Sequence, residues 1–377
     1  MHASRKAIGL LATSILLVGF ATPANAAVSC KTINKYYPAG VSASKYAKNK
    51  GADIETPRVK SSVYKKYTHL DTDNDKIVCE IELKNLSVAE KAYRDVSKLK
   101  DNSYVAGSSH MIVSETISSD YEAVLLQRLT NAFSMWDEVM PVNKDYKAVF
   151  FTMKDFDWAQ EQTRIRGGQV PTGSWRSQAT SLGLSEKVCG LGMAIGDHTF
   201  YNCVGTSMSR QLFLDGTIAH EYFHSVQYSI GLDHTTPVWI AEGSATYMGV
   251  ASTGYGANTM TQTAENSGSE YLSTRYGVGG MKNYIKKFSD SDIQELYSAL
   301  EMGASTDSIG TMSKYNGYFF GGMAVQKLVG DHGYDTFMSF LTDIGQDVPW
   351  KKAFVDRFNM STNMFYSEML KYLNSVY

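Results

Sequence analysis

The strongest constraint on the fold of this chain is the segment 214–231, which reads LDGTIAHEYFHSVQYSIG. The segment predicts one helix, because Asp215 can cap its N-terminus and Gly231 can follow its C-terminus. The two histidines of the segment are four residues apart, so they project from the same face of that helix about one turn apart. The helix therefore offers a pair of imidazoles that can point at one ligand.

These imidazoles belong to His220 and His224, and in their neutral form they can hold one divalent metal ion. Glu221 follows the first histidine and lies close enough to polarise a water molecule on that ion without ligating it. This arrangement is the H-E-x-x-H pattern of zinc hydrolases. The alternative is a buried helix whose histidines have this spacing incidentally, so a third ligand is needed to favour the metal.

A third ligand is available in the segment 237–248, PVWIAEGSATYM, which is apolar and compatible with a helix. Glu242 follows His224 with seventeen residues between them, and the loop 231–236 lets the second segment fold back antiparallel to the first. Here the chain resembles the gluzincins, the thermolysin-like zinc metallopeptidases whose zinc is held by two histidines and a glutamate. The W-x-x-E-G-x-A-x-Y string around Glu242 is similar to the aminopeptidase branch, whereas Thr246 stands where thermolysin has an aspartate.

The resemblance implies an α+β fold for residues 120–377, a zincin-like catalytic domain. Such a domain has a small mixed sheet and the zinc helix, followed by a mainly helical C-terminal half. The pattern of apolar residues is consistent with this order, because 121–140 reads as a helix and 146–153, 190–197 and 199–203 read as short strands. An edge strand of this sheet is expected to bind a peptide or protein substrate by strand addition.

The resemblance also implies a role for each site residue. The implied zinc ligands are His220, His224 and Glu242. Glu221 is the implied general base, and it also returns the proton to the leaving amine. The string YFFG that begins at Tyr318 resembles the Y-x-x-G string that opens a helix over the active site of these zincins. Tyr318 is therefore the implied donor to the developing oxyanion, with Tyr315 one turn earlier as the alternative.

The N-terminus indicates export. Residues 1–26 have a basic start, a short apolar run and an Ala-x-Ala ending, which predict a secretory signal peptide and an extracellular protein. The cysteine number is even, as expected of such a protein. The four cysteines are Cys30, Cys79, Cys189 and Cys203. Their placement favours the first pairing with the second and the third with the fourth, although four cysteines allow three pairings.

Residues 27–82 form a separate predicted module that closes with the acidic loop LDTDNDKIVCE. Closely spaced carboxylates repel one another unless a cation neutralises them, and oxygen ligands favour Ca²⁺. The candidate calcium ligands are Asp71, Asp73, Asp75 and Glu80. The module resembles the excalibur calcium-binding domain of bacterial surface and secreted proteins, except that Lys76 replaces the loop glycine. The alternative is an acidic, solvated turn that binds no metal.

Residues 83–119 are predicted to be a linker that contains one amphipathic helix, and nothing in the sequence decides whether the segment covers the active site. The chain carries a formal net charge of -2 at pH 7, which argues against a nucleic-acid partner. We expect a monomer, and association with the cell envelope stays open because no anchoring signal is found.

Three classes of function fit these observations. The first is a secreted zinc metallopeptidase with an appended calcium-binding-like module. The second keeps the fold and the metal but acts on another amide or is catalytically inert. The third is a cell-surface calcium-binding protein in which residues 27–82 carry the function. The intact carboxylate of Glu221 favours the first class, because a binding site does not need that group beside a metal.

Overall fold

The computed structural model describes residues 29–33, 36–37, 40–47, 57–71, 74–80, 86–100, 106–167, 173–181, 183–187, 189–205, 211–233, 235–264, 270–277, 279–302 and 308–377. The predicted signal peptide 1–26 and the candidate ligand Asp73 lie outside these residues. Contacts divide the chain into two compact units. Among the described residues, the N-terminal unit ends at Glu80 and the C-terminal unit begins at Leu86.

The N-terminal unit is a small sheet with short helices. Its elements are α1 (Cys30–Ile33), β1 (Val41–Ser42), β2 (Arg58–Val59), α2 (Ser61–Tyr67) and β3 (Ile77–Val78). The strand order is β2-β1-β3, with β1 parallel to β2 and antiparallel to β3. A disulfide joins Cys30 to Cys79 and packs into the core of this unit. Such a link reduces the conformational entropy of the unfolded chain, and so it stabilises a unit that has few apolar residues to bury.

The acidic loop of the N-terminal unit is organised by the carboxylate of Asp71. This carboxylate accepts hydrogen bonds from the backbone N–H of Asp75 at 3.2 Å, from that of Lys76 at 3.1 Å and from the hydroxyl of Tyr64 at 2.8 Å. Lys76 has a φ of 71°, in the left-handed region that glycine adopts without strain. A lysine in that conformation costs about 1–2 kcal/mol, so the loop adopts a backbone conformation at this position that a glycine would adopt without strain.

The C-terminal unit contains a four-stranded mixed sheet. Its strands are β4 (Met111–Val113), β5 (Lys147–Phe151), β6 (Gly192–Ile195) and β7 (Thr199–Cys203), in the order β4-β5-β7-β6. Strands β4, β5 and β7 run parallel to one another, whereas β6 is antiparallel to β7 and lies at one edge of the sheet. The second disulfide, Cys189–Cys203, ties the residues before β6 to the end of β7. Both predicted pairings are therefore confirmed, and disulfides of this kind persist in oxidising, extracellular compartments.

Helices make up most of the C-terminal unit. They are α3 (Val88–Ser97), α4 (Ser119–Trp136), α5 (Phe156–Ile165), α6 (Ser174–Ser181), α7 (Gln211–Ser229), α8 (Val238–Ser252), α9 (Thr259–Ala264), α10 (Glu270–Tyr276), α11 (Met281–Ile285), α12 (Asp290–Ala299), α13 (Ser308–Tyr315), α14 (Gly317–His332), α15 (Tyr334–Gly345), α16 (Trp350–Phe358) and α17 (Thr362–Val376). The predicted α+β class is confirmed. Within the described residues, none of the helices is both long enough and apolar enough to cross a membrane.

Helix α7 contains the histidine pair, but it begins earlier than the sequence suggests. Asp215 lies inside the helix rather than at its cap, because α7 starts at Gln211 and the intervening residues are good helix formers. The predicted end is confirmed, since Gly231 follows the helix with a φ of 92°. On the buried face of α7, Tyr222 packs against the ring of Phe133 in α4, with 4.7 Å between the ring centroids and the rings tilted by 50°. This aromatic packing fixes the helix against the unit's core.

The segment predicted as a linker, 83–119, is part of the C-terminal unit. Ala92 and Val96 of α3 are fully buried in its core, and strand β4 also comes from this segment. A Cβ at Gly330 of α14 would overlap the backbone carbonyl of Val88, so α3 and α14 are in backbone contact. The described residues of this segment therefore pack as part of the C-terminal unit. Removing this segment would expose apolar surface that α3 and α14 now share.

Candidate metal centre

Three side chains from α7 and α8 converge at one point. The Nε2 atoms of His220 and His224 are 3.1 Å apart. The Oε2 atom of Glu242 lies 3.4 Å from the first of these nitrogens and 3.3 Å from the second. All three side chains are only partly exposed, at 15%, 15% and 24%. The structure thus brings together the three residues that the sequence suggests as zinc ligands.

The spacing of these three atoms fits a tetrahedral metal ion. Zn²⁺ binds His nitrogen and carboxylate oxygen at about 2.0–2.1 Å, so two ligand atoms of a tetrahedron are about 3.3 Å apart. The three edges measured between His220, His224 and Glu242 are 3.1–3.4 Å. Two imidazoles and a carboxylate also form one of the donor sets of catalytic zinc sites, in which a fourth position is left open. The residues present therefore fit a zinc ion.

The carboxylate among the three converging side chains favours a positive charge at this point, either a proton on an imidazole or a bound cation. Burial alone would raise the pKa of Glu242, but the imidazoles of His224 and His220 outweigh it and hold that pKa well below its usual range. Burial alone would lower the pKa of His224, but the Glu242 carboxylate outweighs it and raises that pKa to about 9. A proton on His224 and a bound cation would each neutralise the charge of the Glu242 carboxylate. Metal binding at this centre therefore competes with protons.

Close helix contacts bring the ligands together. In α8, a Cβ at Gly249 would lie 2.5 Å from the carbonyl oxygen of Gly216 in α7 and 3.1 Å from the Cβ of His220. On another side of α8, a Cβ at Gly243 would lie 2.5 Å from the backbone of Gly321 in α14. Larger residues at these glycines would push α7 and α14 away from α8. The small residues therefore set the distances across the centre.

The carboxylate of Glu221 lies beside the three ligands and is 6% exposed. Burial raises its pKa, which the positive charge of His220 and His224 partly offsets. A raised pKa brings this carboxylate nearer to the range that suits a general base at neutral pH.

Gly192 of the edge strand β6 makes room for this carboxylate. A Cβ at position 192 would overlap the side chain of Glu221 from its Cγ to its Oε1. The overlapping atoms are the far end of a flexible side chain, so an alanine here would displace the carboxylate rather than unfold the sheet. Gly192 therefore positions Glu221 and places it next to the unpaired edge of β6.

If the centre hydrolyses peptides with Glu221 as its base, we expect Gly192→Ala to lower the rate about 100-fold, the size of effect that a misplacement of about 1 Å produces at a catalytic group. Zinc content should be unchanged, because the three ligands do not touch this position. The measurement is the hydrolysis rate beside Gly279→Ala, where the nearest atom to an added Cβ is 3.6 Å away. Equal rates for the two variants would contradict the role of Gly192.

Tyr318 lies at the start of α14, with its ring centroid 6.2 Å from that of His220. Its ring is 41% exposed, and the negative charge of Glu242 is the main reason that its pKa is raised, followed by burial. A neutral phenol at this position can donate a hydrogen bond. The alternative, Tyr315, instead packs its ring on Tyr271 with 4.9 Å between centroids. The geometry favours Tyr318 over Tyr315 as the tyrosine of the centre.

The acidic loop of the N-terminal unit forms a second group of carboxylates. Oxygen atoms of Asp71, Asp75 and Glu80 lie within 4.8 Å of one another, while the fourth candidate, Asp73, is outside the described residues. The Asp71 carboxylate also accepts hydrogen bonds within the loop, and Asp75 accepts one at 2.8 Å from the backbone N–H of Ile77. These contacts suit both a solvated turn and a hard cation site.

The sequence analysis does not identify two residues that lie at the metal centre. Gln227 and Tyr228 follow His224 by three and four residues, so helical spacing alone would have placed them on its side of α7. Tyr228 is 48% exposed, and its pKa is raised by burial and then by the charges of Glu242 and Glu221. Gln227 is 3% exposed and contacts a ligand directly.

Comparison with known proteins adds no relative: no family model matches the chain, and neither the curated proteins nor the solved structures contain a match.

Proposed function

We propose that the C-terminal unit is a zinc-dependent metallopeptidase, exported from the cell, that hydrolyses peptide bonds. The observation that carries the proposal is the triangle formed by His220, His224 and Glu242 with the side chain of Glu221, which is 6% exposed and has a raised pKa, beside it. His220, His224 and Glu242 would hold the ion. When bound, zinc supplies a Lewis acid that lowers the pKa of water to about 7 and polarises a carbonyl group.

The residues of this chain supply proton transfer and orientation. Glu221 takes a proton from the attacking water molecule and returns it to the leaving amine. The Tyr318 hydroxyl donates a hydrogen bond to the oxyanion that develops on the substrate carbonyl. Strand β6 beside Glu221 is an edge strand of the described sheet, so an extended peptide can bind there by strand addition. Such an edge suits a peptide or protein substrate.

Two other functions remain as alternatives. A catalytically inert protein could keep the metal, but it would not need the carboxylate of Glu221 beside the three ligands. A calcium-binding role for the N-terminal unit is supported by Asp71, Asp75 and Glu80, and it is compatible with a peptidase in the other unit. We propose that this unit binds Ca²⁺ and acts as an accessory module, and that the chain functions as a monomer.

A peptide-library digest tests the proposed function. We expect the zinc-loaded full chain to generate new peptide termini, because the centre has a base, an oxyanion donor and a substrate edge. The activity should disappear on treatment with a zinc chelator and return when zinc is added back. The readout is mass spectrometry of the digest. A fully zinc-loaded chain that cleaves no peptide would favour the inert alternative.

A further inference from the structure

We infer that Gln227 is the positioning residue of the metal centre: its side-chain amide fixes the tautomer of His224 and ties α7 to α8. The inference rests on the metal site of the proposed function, and it concerns how the chain prepares that site. Gln227 is nearly completely buried on α7, between the second histidine ligand and the backbone of α8.

The orientation of this amide is set by α8. Gln227 Nε2 donates to the carbonyl oxygen of Ala241 at 2.8 Å and to the hydroxyl oxygen of Ser244 at 2.7 Å. The Ser244 hydroxyl donates in turn to the carbonyl oxygen of Ile240 at 2.6 Å, so its oxygen is free to accept. A flipped amide would place its oxygen against a carbonyl oxygen. Only one orientation therefore satisfies all of these groups.

This orientation determines which ring nitrogen of His224 carries hydrogen. Gln227 Oε1 faces His224 Nδ1 at 2.7 Å, and an amide oxygen can only accept, so Nδ1 is the donor. A neutral imidazole has one N–H, which leaves a lone pair on Nε2. That Nε2 atom points at His220 and Glu242. Gln227 thus holds His224 in the form that can bind a metal.

The same amide links the histidine ligand on α7 to the helix α8 that carries the third ligand. Ala241, whose carbonyl accepts from Gln227, immediately precedes the third ligand, Glu242. One side chain therefore contacts both the second ligand and the peptide unit next to the third. A shift of α8 along α7 would break these bonds before it separated the ligands. Loss of such an outer contact at a metal site typically weakens metal binding 10–100-fold.

Gln326 provides a matched control. It is 1% exposed on α14, its Nε2 donates to the carbonyl oxygen of Ala257 at 3.2 Å, and its Oε1 accepts from the hydroxyl of Tyr372 at 2.8 Å. Gln227→Met and Gln326→Met each replace a buried amide, hydrogen-bonded through both its oxygen and its nitrogen, by an apolar side chain of similar length. Both should lower the stability of the metal-free protein, whereas only the first touches a ligand.

The test measures the zinc affinity of the full chain by competition with a chelator. We expect Gln227→Met to weaken zinc binding 10–100-fold and Gln326→Met to change it less than about threefold. Zinc affinity of Gln227→Met equal to that of the wild type would overturn the inference, as would an equal loss in both variants. Zinc that fails to bind even the wild type would overturn the proposed function together with the inference.

A second measurement needs no variant and so does not depend on whether Gln227→Met folds. Nitrogen NMR of the histidine rings in the zinc-loaded wild type reports which ring nitrogen of His224 carries hydrogen. We expect a protonated Nδ1 and a metal-bound Nε2. A metal-bound Nδ1, or an Nδ1 without hydrogen, would contradict the assigned role of Gln227 while leaving the zinc site itself intact.

Discussion

Replacing Glu221 with glutamine is expected to lower peptide hydrolysis by a factor of about 10²–10⁴ and to leave zinc bound. The amide keeps the shape of the side chain and its fit against Gly192, but it cannot take a proton from water. Zinc content should stay near the wild-type value, since this carboxylate is not one of the three converging ligands. The measurement is the hydrolysis rate of a peptide cleaved by the wild type, beside the zinc content of the same sample.

Glu122→Gln is the matched control for this variant, because Glu122 is exposed on α4 and its change removes the same charge. We expect it to hydrolyse peptides at the wild-type rate. Activity of Glu221→Gln near that of the wild type would show that another group is the base. Loss of zinc in Glu221→Gln would instead make Glu221 a ligand, and the assigned roles would then be wrong.

Replacing His224 with alanine is expected to abolish both zinc binding and hydrolysis. The change removes one corner of the triangle, and it leaves Glu242 with a single facing imidazole. Zinc in excess should stabilise the wild type against unfolding by about 4 kcal/mol when its concentration is a thousand times the dissociation constant. The variant should gain nothing from added zinc. Chemical unfolding with and without zinc measures this difference.

The control for this second variant is His332→Ala. His332 ends α14, roughly 20 Å along that helix from Tyr318, and its ring packs on Phe358 with 5.0 Å between centroids. The variant should lose some packing and keep the full stabilisation by zinc. A His224→Ala protein that zinc still stabilises as strongly as it stabilises the wild type would exclude His224 as a ligand.

Features that depend on local spacing could be predicted from the sequence. The separation of His220 and His224 places them on one helical face whatever the rest of the chain does. The family resemblance implied the α+β class, and the placement of the cysteines favoured both disulfide pairings among the three that are possible; the structure confirms them. The glycine that ends α7, Gly231, has the backbone conformation that the C-terminal position requires.

Features that depend on tertiary contact could not be predicted in this way. Asp215 looks like a helix cap, but the preceding residues extend α7 past it, because caps compete with the helix propensity of their neighbours. The amide of Gln227 acquires its role only when α8 supplies acceptors for it. No local sequence pattern identifies Gly192, because its role is to leave space for a side chain from another element, Glu221 of α7.

The segment 83–119 illustrates the same limit. Its helix α3 is predicted by apolar periodicity, and the structure shows a capping box between Ser87 and Glu90 at the N-terminus of this helix. Its burial against α14 depends on Gly330, which is more than two hundred residues away along the chain. Periodicity identifies an apolar face but not the surface that covers it. The sequence alone therefore could not show that this segment packs against α14.

Zinc content of the purified full chain tests the central claim most directly, measured for the wild type and for Glu242→Ala. We expect about one zinc ion per wild-type chain and none in the variant, because two imidazoles alone form an incomplete site. Zinc retained by Glu242→Ala would mean that the third ligand lies elsewhere. A wild-type chain that binds no zinc, even after zinc is added, would contradict the proposed metallopeptidase.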